Sequence, residues 1–145
     1  MFQHILVATD GSLLSEAAVG EAMKFAREAG ARVTVVTVTE PFRVLATDSK
    51  QLSETKETYE RHVKAEAGRY LSSAEHKAKA QGVQCHVIQV EDEHPYKVII
   101  DTAKKSGCDL IAMASHGRRG VSALVIGSET SKVLTHSAIP VLVYR

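Results

Sequence analysis

The residues best suited to chemistry stand in one glycine-rich, basic segment, ASHGRRGVSALVIGSET at residues 114–130. Its three glycines, Gly117, Gly120 and Gly127, can adopt positive φ and leave room for close approach of a backbone or a ligand. Successive amides in such conformations form a nest that binds anions. The segment therefore predicts a phosphate-binding loop, and a mobile connection is the alternative.

The end of this segment carries a second feature that favours an anion. Gly127 and Ser128 lead into a short predicted helix, at residues 128–136, whose first amides and dipole attract negative charge. Ser128 and Thr130 add hydroxyl donors, and no acidic residue precedes Glu129 within the segment. This arrangement predicts that phosphates are held mainly by main-chain amides and hydroxyl groups.

Asp10 follows the apolar run HILVAT at residues 4–9 and is the acidic side chain at the end of the first predicted strand. As a turn residue, it would hydrogen-bond its own backbone. As a site residue, its carboxylate would contact a bound molecule. The sequence leaves both roles open.

Several common kinds of chemistry lack their sequence patterns. There is no G-x-x-x-x-G-K-[ST], and no G-x-G-x-x-G follows the first strand, which argues against a Walker-type phosphate site and a dinucleotide fold. The seven histidines show no metal-ligand spacing. No Ser-His-Asp pattern stands at a nucleophile elbow, so an efficient hydrolase is not expected.

The elements that must position these residues alternate along the chain. Runs of β-branched residues predict strands, and apolar residues at helical spacing predict helices. The predicted strands are 4–9, 32–38, 85–90, 109–114 and a last strand after Pro140, and the predicted helices run from Ser12 to Gly30, 49–81, 95–106 and 128–136. Strict alternation predicts one α/β domain over residues 1–145, a five-stranded parallel open sheet with helices on both faces.

In such sheets, ligands bind at the carboxyl ends of the strands where the strand order reverses. If the order is 3-2-1-4-5, the reversal lies between the first and fourth strands. The first strand ends at Asp10, and the fourth ends where the segment 114–130 begins. The two candidate regions therefore meet at the predicted ligand site.

The composition narrows the choice of partners and compartment. A net charge of +1 gives no reason to expect nucleic acid or an anionic membrane as a partner. No apolar run approaches the roughly 20 residues that span a bilayer, and the first residues do not resemble a signal peptide. Cys85 and Cys108 have no motif spacing, which is typical of free thiols in a reducing cytoplasm.

The chain resembles the universal stress protein family along its whole length. The resemblance is carried by ILVATDGS near the start, GCDLIAMASHGRRG in the second half and GSETSKVLTHSAIPVLV near the end. The nucleotide-binding branch of that family carries G-x2-G-x9-G-[ST]. Here the same register reads Ala114, Gly117, Gly127 and Ser128, so the last three positions match and the first departs.

The resemblance implies a Rossmann-like sheet of order 3-2-1-4-5, a homodimer through the last strands, and ATP, or ADP or AMP, at the switch point. Asp10 would meet the ribose hydroxyls or a metal such as Mg²⁺ held through the nucleotide. The adenosine side would be lined by Ala8 and Thr9, with Val38 offering backbone hydrogen bonds to adenine and Met113 packing near the base. The phosphate side would comprise Ala114, Gly117, Arg118, Gly127, Ser128, Glu129 and Thr130, with Arg118 and Arg119 adding charge.

The departure at Ala114 leaves alternatives to a nucleotide-binding stress or signalling protein. If this position requires positive φ, alanine costs of order 1 kcal/mol, and less if it continues a strand. One alternative is an interaction protein of the same fold that has lost nucleotide binding. Another is a slow ATPase that uses Asp10 and a bound metal.

Overall fold

The computed structural model describes residues 1–43, 49–117 and 126–145, with side chains described from residue 55 onward in the second range. The strands are β1 His4–Ala8, β2 Arg32–Thr39, β3 Cys85–Glu91, β4 Leu110–Ala114 and β5 Val141–Tyr144. The helices are α1 Leu13–Ala29, α2 Ser49–Ala80, α3 Pro95–Ser106 and α4 Ser128–His136.

The five strands form one parallel sheet in the order β3-β2-β1-β4-β5. This order, with helices on both faces, confirms the predicted fold class. The polar residues of β3 fit its position at one edge, and β5 forms the other. The chain order reverses between β1 and β4, so the carboxyl ends of these two strands flank the switch point.

The central strand β1 is buried on both faces of the sheet. Its successive residues point to opposite faces, and helices cover each face. Ile5 and Val7 pack in an apolar cluster with residues of α1 and α2. Leu6 packs in a second cluster with residues of α3 and α4. Burial on both faces explains the nearly continuous apolar sequence of this strand.

The ends of α1 follow from two predicted caps. The Ser12 hydroxyl accepts a hydrogen bond from the amide of Ser15 at 3.2 Å, which places the start of α1 directly after β1. Gly30 ends the helix with a left-handed backbone (φ 68°). The amino end of α1 therefore lies at the carboxyl edge of the sheet.

Two further expectations concern cysteine and membranes. Both cysteines are free, and burial raises the pKa of each thiol to about 11, so the less nucleophilic protonated form dominates at neutral pH. Within the described parts of the chain, no helix combines the length and apolarity needed to cross a membrane.

Candidate functional site

The turn between β1 and α1 is held by a network of short polar side chains. The Thr9 hydroxyl accepts from the Gly11 amide at 3.2 Å and from the Ser15 hydroxyl at 2.9 Å. Ser15 also accepts from the Asp10 amide at 3.1 Å, and Oδ1 of Asp10 accepts from the Ser12 amide at 3.0 Å. Asp10 is therefore a turn residue, as one of its two predicted roles required.

The second carboxylate oxygen of Asp10 points away from this turn toward the segment after β4. A Cβ built on Gly117 would overlap Oδ2 of Asp10, which means that the carboxylate packs against the Gly117 backbone. The structure thus brings together the two regions that the sequence predicted to meet. One oxygen of Asp10 orders the turn, while the other lies at the switch point.

The two ends of the glycine-rich segment are tied to each other and to the sheet. The Ser115 amide donates to the Tyr144 carbonyl of β5, and the Gly127 amide donates to the Ser115 carbonyl, both at 2.7 Å. The Thr130 hydroxyl donates to the Ala114 carbonyl at 3.0 Å. These bonds place the start of α4 beside the end of β4.

The positive φ that glycine can adopt is not used at Gly117 or Gly127. The positive-φ glycines of the described residues stand elsewhere, and Gly127 has φ −63° and ψ 157°. The requirement at Gly127 is space, because a Cβ there would lie 3.1 Å from Cα of His116. The predicted close approach of backbones is therefore correct at Gly127, whereas this residue does not adopt positive φ. Gly120 lies outside the described residues.

Ala114 is the last residue of β4 and is buried. Every non-glycine residue in the described ranges has negative φ, so alanine adds no backbone strain at this position. Its carbonyl binds Thr130, which any residue type would allow. The departure from the family pattern is thus accommodated within the strand.

The first turn of α4 presents amides to the site. The amides of Ser128, Glu129 and Thr130 have no intrahelical acceptor because they begin the helix. The cap residue, Gly127, has no side chain to accept from them. The carboxylate of Glu129 is engaged elsewhere, since Oε1 accepts from the Tyr96 amide of α3 at 3.2 Å and Oε2 pairs with a neighbouring lysine.

The apolar residues predicted for the adenosine side share one face of the sheet. Ala8, Val38 and Met113 all belong to or pack against the cluster on the α3 and α4 side. Met113 is buried, whereas Ala8 and Val38 are partly exposed near the carboxyl ends of their strands. Thr9 is buried, and its carbonyl accepts from the hydroxyl of Thr37 at 2.7 Å.

Arg118 and Arg119, which were predicted to add charge to the site, lie outside the described residues. His116 belongs to the segment after β4, and its Nδ1 is 3.2 Å from the Ser115 hydroxyl. No cluster of three or more histidine, cysteine or acidic residues suited to a metal occurs among the residues that the structure describes.

Sequence reasoning missed Tyr70, which reaches the site from α2. Its ring lies over Gly11, next to Asp10. Local sequence carries no signal for this contact, because the two residues are far apart in the chain and nothing in their immediate surroundings links them. Only the packing of α2 against α1 brings them together.

Comparison with known proteins gives a consistent family match. The family model described as the universal stress protein family matches residues 1–145. Universal stress protein YxiE of Bacillus subtilis (strain 168) is 32% identical over 149 residues, with 100% of each chain covered.

Solved structures share the fold over nearly the whole chain. The structure of the protein MJ0577, from Methanocaldococcus jannaschii, has a TM-score of 0.81 at 26% identity and covers 99% of this chain and 95% of that one. A universal stress protein in complex with cAMP has a TM-score of 0.73 at 23% identity, with 99% and 97% covered. A universal stress protein from Archaeoglobus fulgidus in complex with dAMP has a TM-score of 0.69 at 22% identity, with 99% and 98% covered.

Proposed function

The chain belongs to the universal stress protein family, and from this premise we propose that it is a cytoplasmic stress-response or signalling protein that binds ATP or another adenine nucleotide. The site is the carboxyl edge of the sheet between β1 and β4. The nucleotide acts as a controlling ligand, and hydrolysis is slow at most because the described site residues include no activated nucleophile.

The observation that carries this proposal is the packing of the Asp10 carboxylate against the Gly117 backbone. It joins the end of β1 to the glycine-bearing segment at the switch point, where ligands bind in open α/β sheets. The uncapped amides at the start of α4 lie beside the same strand end and suit phosphate oxygens. The cAMP and dAMP held by two proteins of the same fold support an adenine nucleotide.

In the proposed complex, Asp10 binds the ribose hydroxyls or a Mg²⁺ ion carried by the nucleotide. Adenine lies beside Val38 and Met113, with Ala8 and Thr9 next to the adenosine. The backbones of Gly117 and of residues 127–130 bind the phosphates, and Arg118 adds charge. Thr130 contributes through its amide, because its hydroxyl already donates to Ala114.

The proposal includes a homodimer through β5. This strand is at the edge of the sheet, and its four residues are all partly exposed. An edge strand with apolar residues can be covered by a second copy. Sedimentation of the purified protein tests this part separately from ligand binding.

The first test is calorimetric titration of ligand-free protein with ATP and Mg²⁺. Micromolar binding is expected, and it should disappear in Gly127→Val because the new side chain would press on the His116 backbone. Gly20→Val is the matched control, since a Cβ at Gly20 meets nothing within 4 Å. If the natural chain gives no heat and no shift in melting temperature at millimolar ATP, the proposal fails and the interaction-protein alternative is favoured.

A further inference from the structure

The ring of Tyr70, on α2, lies directly over Gly11 in the turn after β1. A Cβ on Gly11 would overlap the ring atoms Cζ, Cε1 and Cε2. Gly11 also has φ 78°, a backbone conformation that side-chain-bearing residues rarely adopt. The ring therefore fills the space that the missing side chain leaves and lies against the left-handed turn.

Polar contacts of α2 hold Tyr70 in this position. Its hydroxyl donates to Oε2 of Glu66, one helical turn earlier, at 3.2 Å. On the other side, Ser73 and Lys77 each donate to Oε2 of Glu16 at 2.8 Å, and Lys77 also donates to the Glu16 carbonyl at 2.8 Å. Glu16 lies in the first turn of α1, directly after the turn that contains Gly11. Ser73 and Lys77 therefore join α2 to the start of α1.

The turn transmits the position of Gly11 to Asp10. The Gly11 amide donates to the Thr9 hydroxyl, and the next amide, of Ser12, donates to Oδ1 of Asp10. A shift of Gly11 would therefore move both the backbone and the bound carboxylate of Asp10. The other oxygen of that carboxylate packs against Gly117, so the shift would open the contact between β1 and the segment after β4.

We propose that Tyr70 is a positioning residue of the nucleotide site, which holds the Asp10 carboxylate against Gly117 by fixing the turn at Gly11. This inference rests on the proposed function. It makes α2 part of the ligand site although none of its residues stands among those predicted to bind the nucleotide. The proposal assigns the effect to the ring, which contacts Gly11, rather than to the hydroxyl, which donates to Glu66.

The test compares nucleotide affinity and thermal stability in three variants. Tyr70→Ala should raise the Kd for ATP about tenfold, an effect of the size seen when contacting residues are coupled. Tyr70→Phe keeps the ring and should stay within about twofold of the natural chain. Leu71→Ala, the next residue on α2, removes a buried side chain from the core cluster without touching the turn. It should lower the melting temperature and leave Kd unchanged.

A double variant separates positioning from general weakening. In a chain that already carries Asp10→Ala, Tyr70→Ala should have little further effect on Kd, because Tyr70 acts through that carboxylate. If the two effects add in full, or if Tyr70→Ala lowers the melting temperature and leaves Kd unchanged, the inference is wrong.

A ligand-free measurement distinguishes failure of this inference from failure of the proposed function. Hydrogen exchange at the amides of Ser12 and Ser15 should be faster in Tyr70→Ala than in Leu71→Ala. If the natural chain binds no nucleotide but this difference is found, the proposed function fails and Tyr70 still positions the turn. Equal exchange in the two variants overturns the positioning role itself.

Discussion

At the amino edge of the sheet, α1 and α3 end at Gly30 and Gly107, whose φ values of 68° and 72° require glycine for its backbone freedom. A Cβ at either position would meet nothing within 4 Å. At the carboxyl edge, Gly117 and Gly127 lack positive φ, and a Cβ on either would press on a neighbouring group. One residue type thus ends helices at one edge and permits close approach at the other.

The two edges also differ in the helix ends that they present. A groove of about 390 Å³ at the amino edge is lined by Arg27 and Arg32, together with Gln3 and Gln84. Arg27 stands in the last turn of α1, where its charge complements the helix dipole. The carboxyl edge has the first turns of α1 and α4 instead, so their dipoles favour an anion there. Arg27 and Arg32 therefore lie at the edge opposite to the proposed site.

Adding a side chain at Gly117 tests most strongly whether glycine at the carboxyl edge serves to leave space. Gly117→Val should displace the Asp10 carboxylate. We expect ATP binding to weaken by roughly a hundredfold, which corresponds to about 2.8 kcal/mol of binding free energy. The melting temperature should change little, because the substituted residue is exposed and lies outside the strands and helices. Calorimetry and thermal melting measure both quantities.

The control for Gly117→Val is the same change in a chain that carries Asp10→Ala. With the carboxylate removed, the three atoms nearest to the new Cβ are gone, and the additional loss of affinity should be small. Full additivity would mean that Gly117 acts on the ligand independently of Asp10.

The opposite result is expected at the amino edge. Gly30→Ala should lower the free energy of unfolding by roughly 1–2 kcal/mol, since alanine is strained in the left-handed conformation. Nucleotide affinity should stay unchanged because the proposed site lies at the other edge. Gly68→Ala, within α2, is the matched control and should stabilise the protein, because glycine is a poor helix former. Chemical denaturation checks the difference in sign.

The contrast between the edges also shows what the sequence could predict. Element order and the caps at Ser12 and Gly30 were predictable because they depend on local periodicity and on cap residues. The strand order was predicted through the family resemblance, and the connection rules alone left it as one possible arrangement. The reason for glycine at position 127 was not predictable, because the sequence does not reveal that the His116 backbone passes beside it. The Tyr70 contact was missed for the same reason, as it exists only after α2 packs on α1.

Thr130 connects the fold to the site and should show effects on both. Thr130→Val removes the hydroxyl that donates to the Ala114 carbonyl and should cost about 1 kcal/mol of stability. ATP affinity should fall by a smaller factor than in Gly117→Val, because the amide of residue 130 remains. Thr130→Ser keeps the donor and should recover most of the stability. An unchanged melting temperature in Thr130→Val would contradict the structural role of this bond.

The smallest expected effect is a pH dependence at the amino edge. Burial, and then the charge of Arg32, lower the pKa of His4 below its ordinary value of 6.5, although Asp109 acts in the opposite direction. The neutral imidazole is therefore favoured in the folded protein, where its Nε2 lies 2.8 Å from the Thr34 hydroxyl. Its contribution to stability is complete above pH 6.5 and is lost as the pH falls through the lower, folded-state pKa.

Between pH 7.5 and 5.5, this linkage should reduce the free energy of unfolding by a fraction of about 1.4 kcal/mol, the value expected if the folded protein bound no proton at His4 in this range. Asp109, whose pKa is held down by the amides of Gln3 and His4 despite desolvation, should act only below its ordinary value of 3.8. The loss of unfolding free energy between pH 7.5 and 5.5 is therefore compared in the natural chain and in His4→Gln. The difference between the two losses isolates the contribution of His4. If the two chains lose stability equally, the buried histidine is not the source of the pH dependence. ATP affinity should be the same in both chains at pH 7.5, because the proposed site lies at the opposite edge.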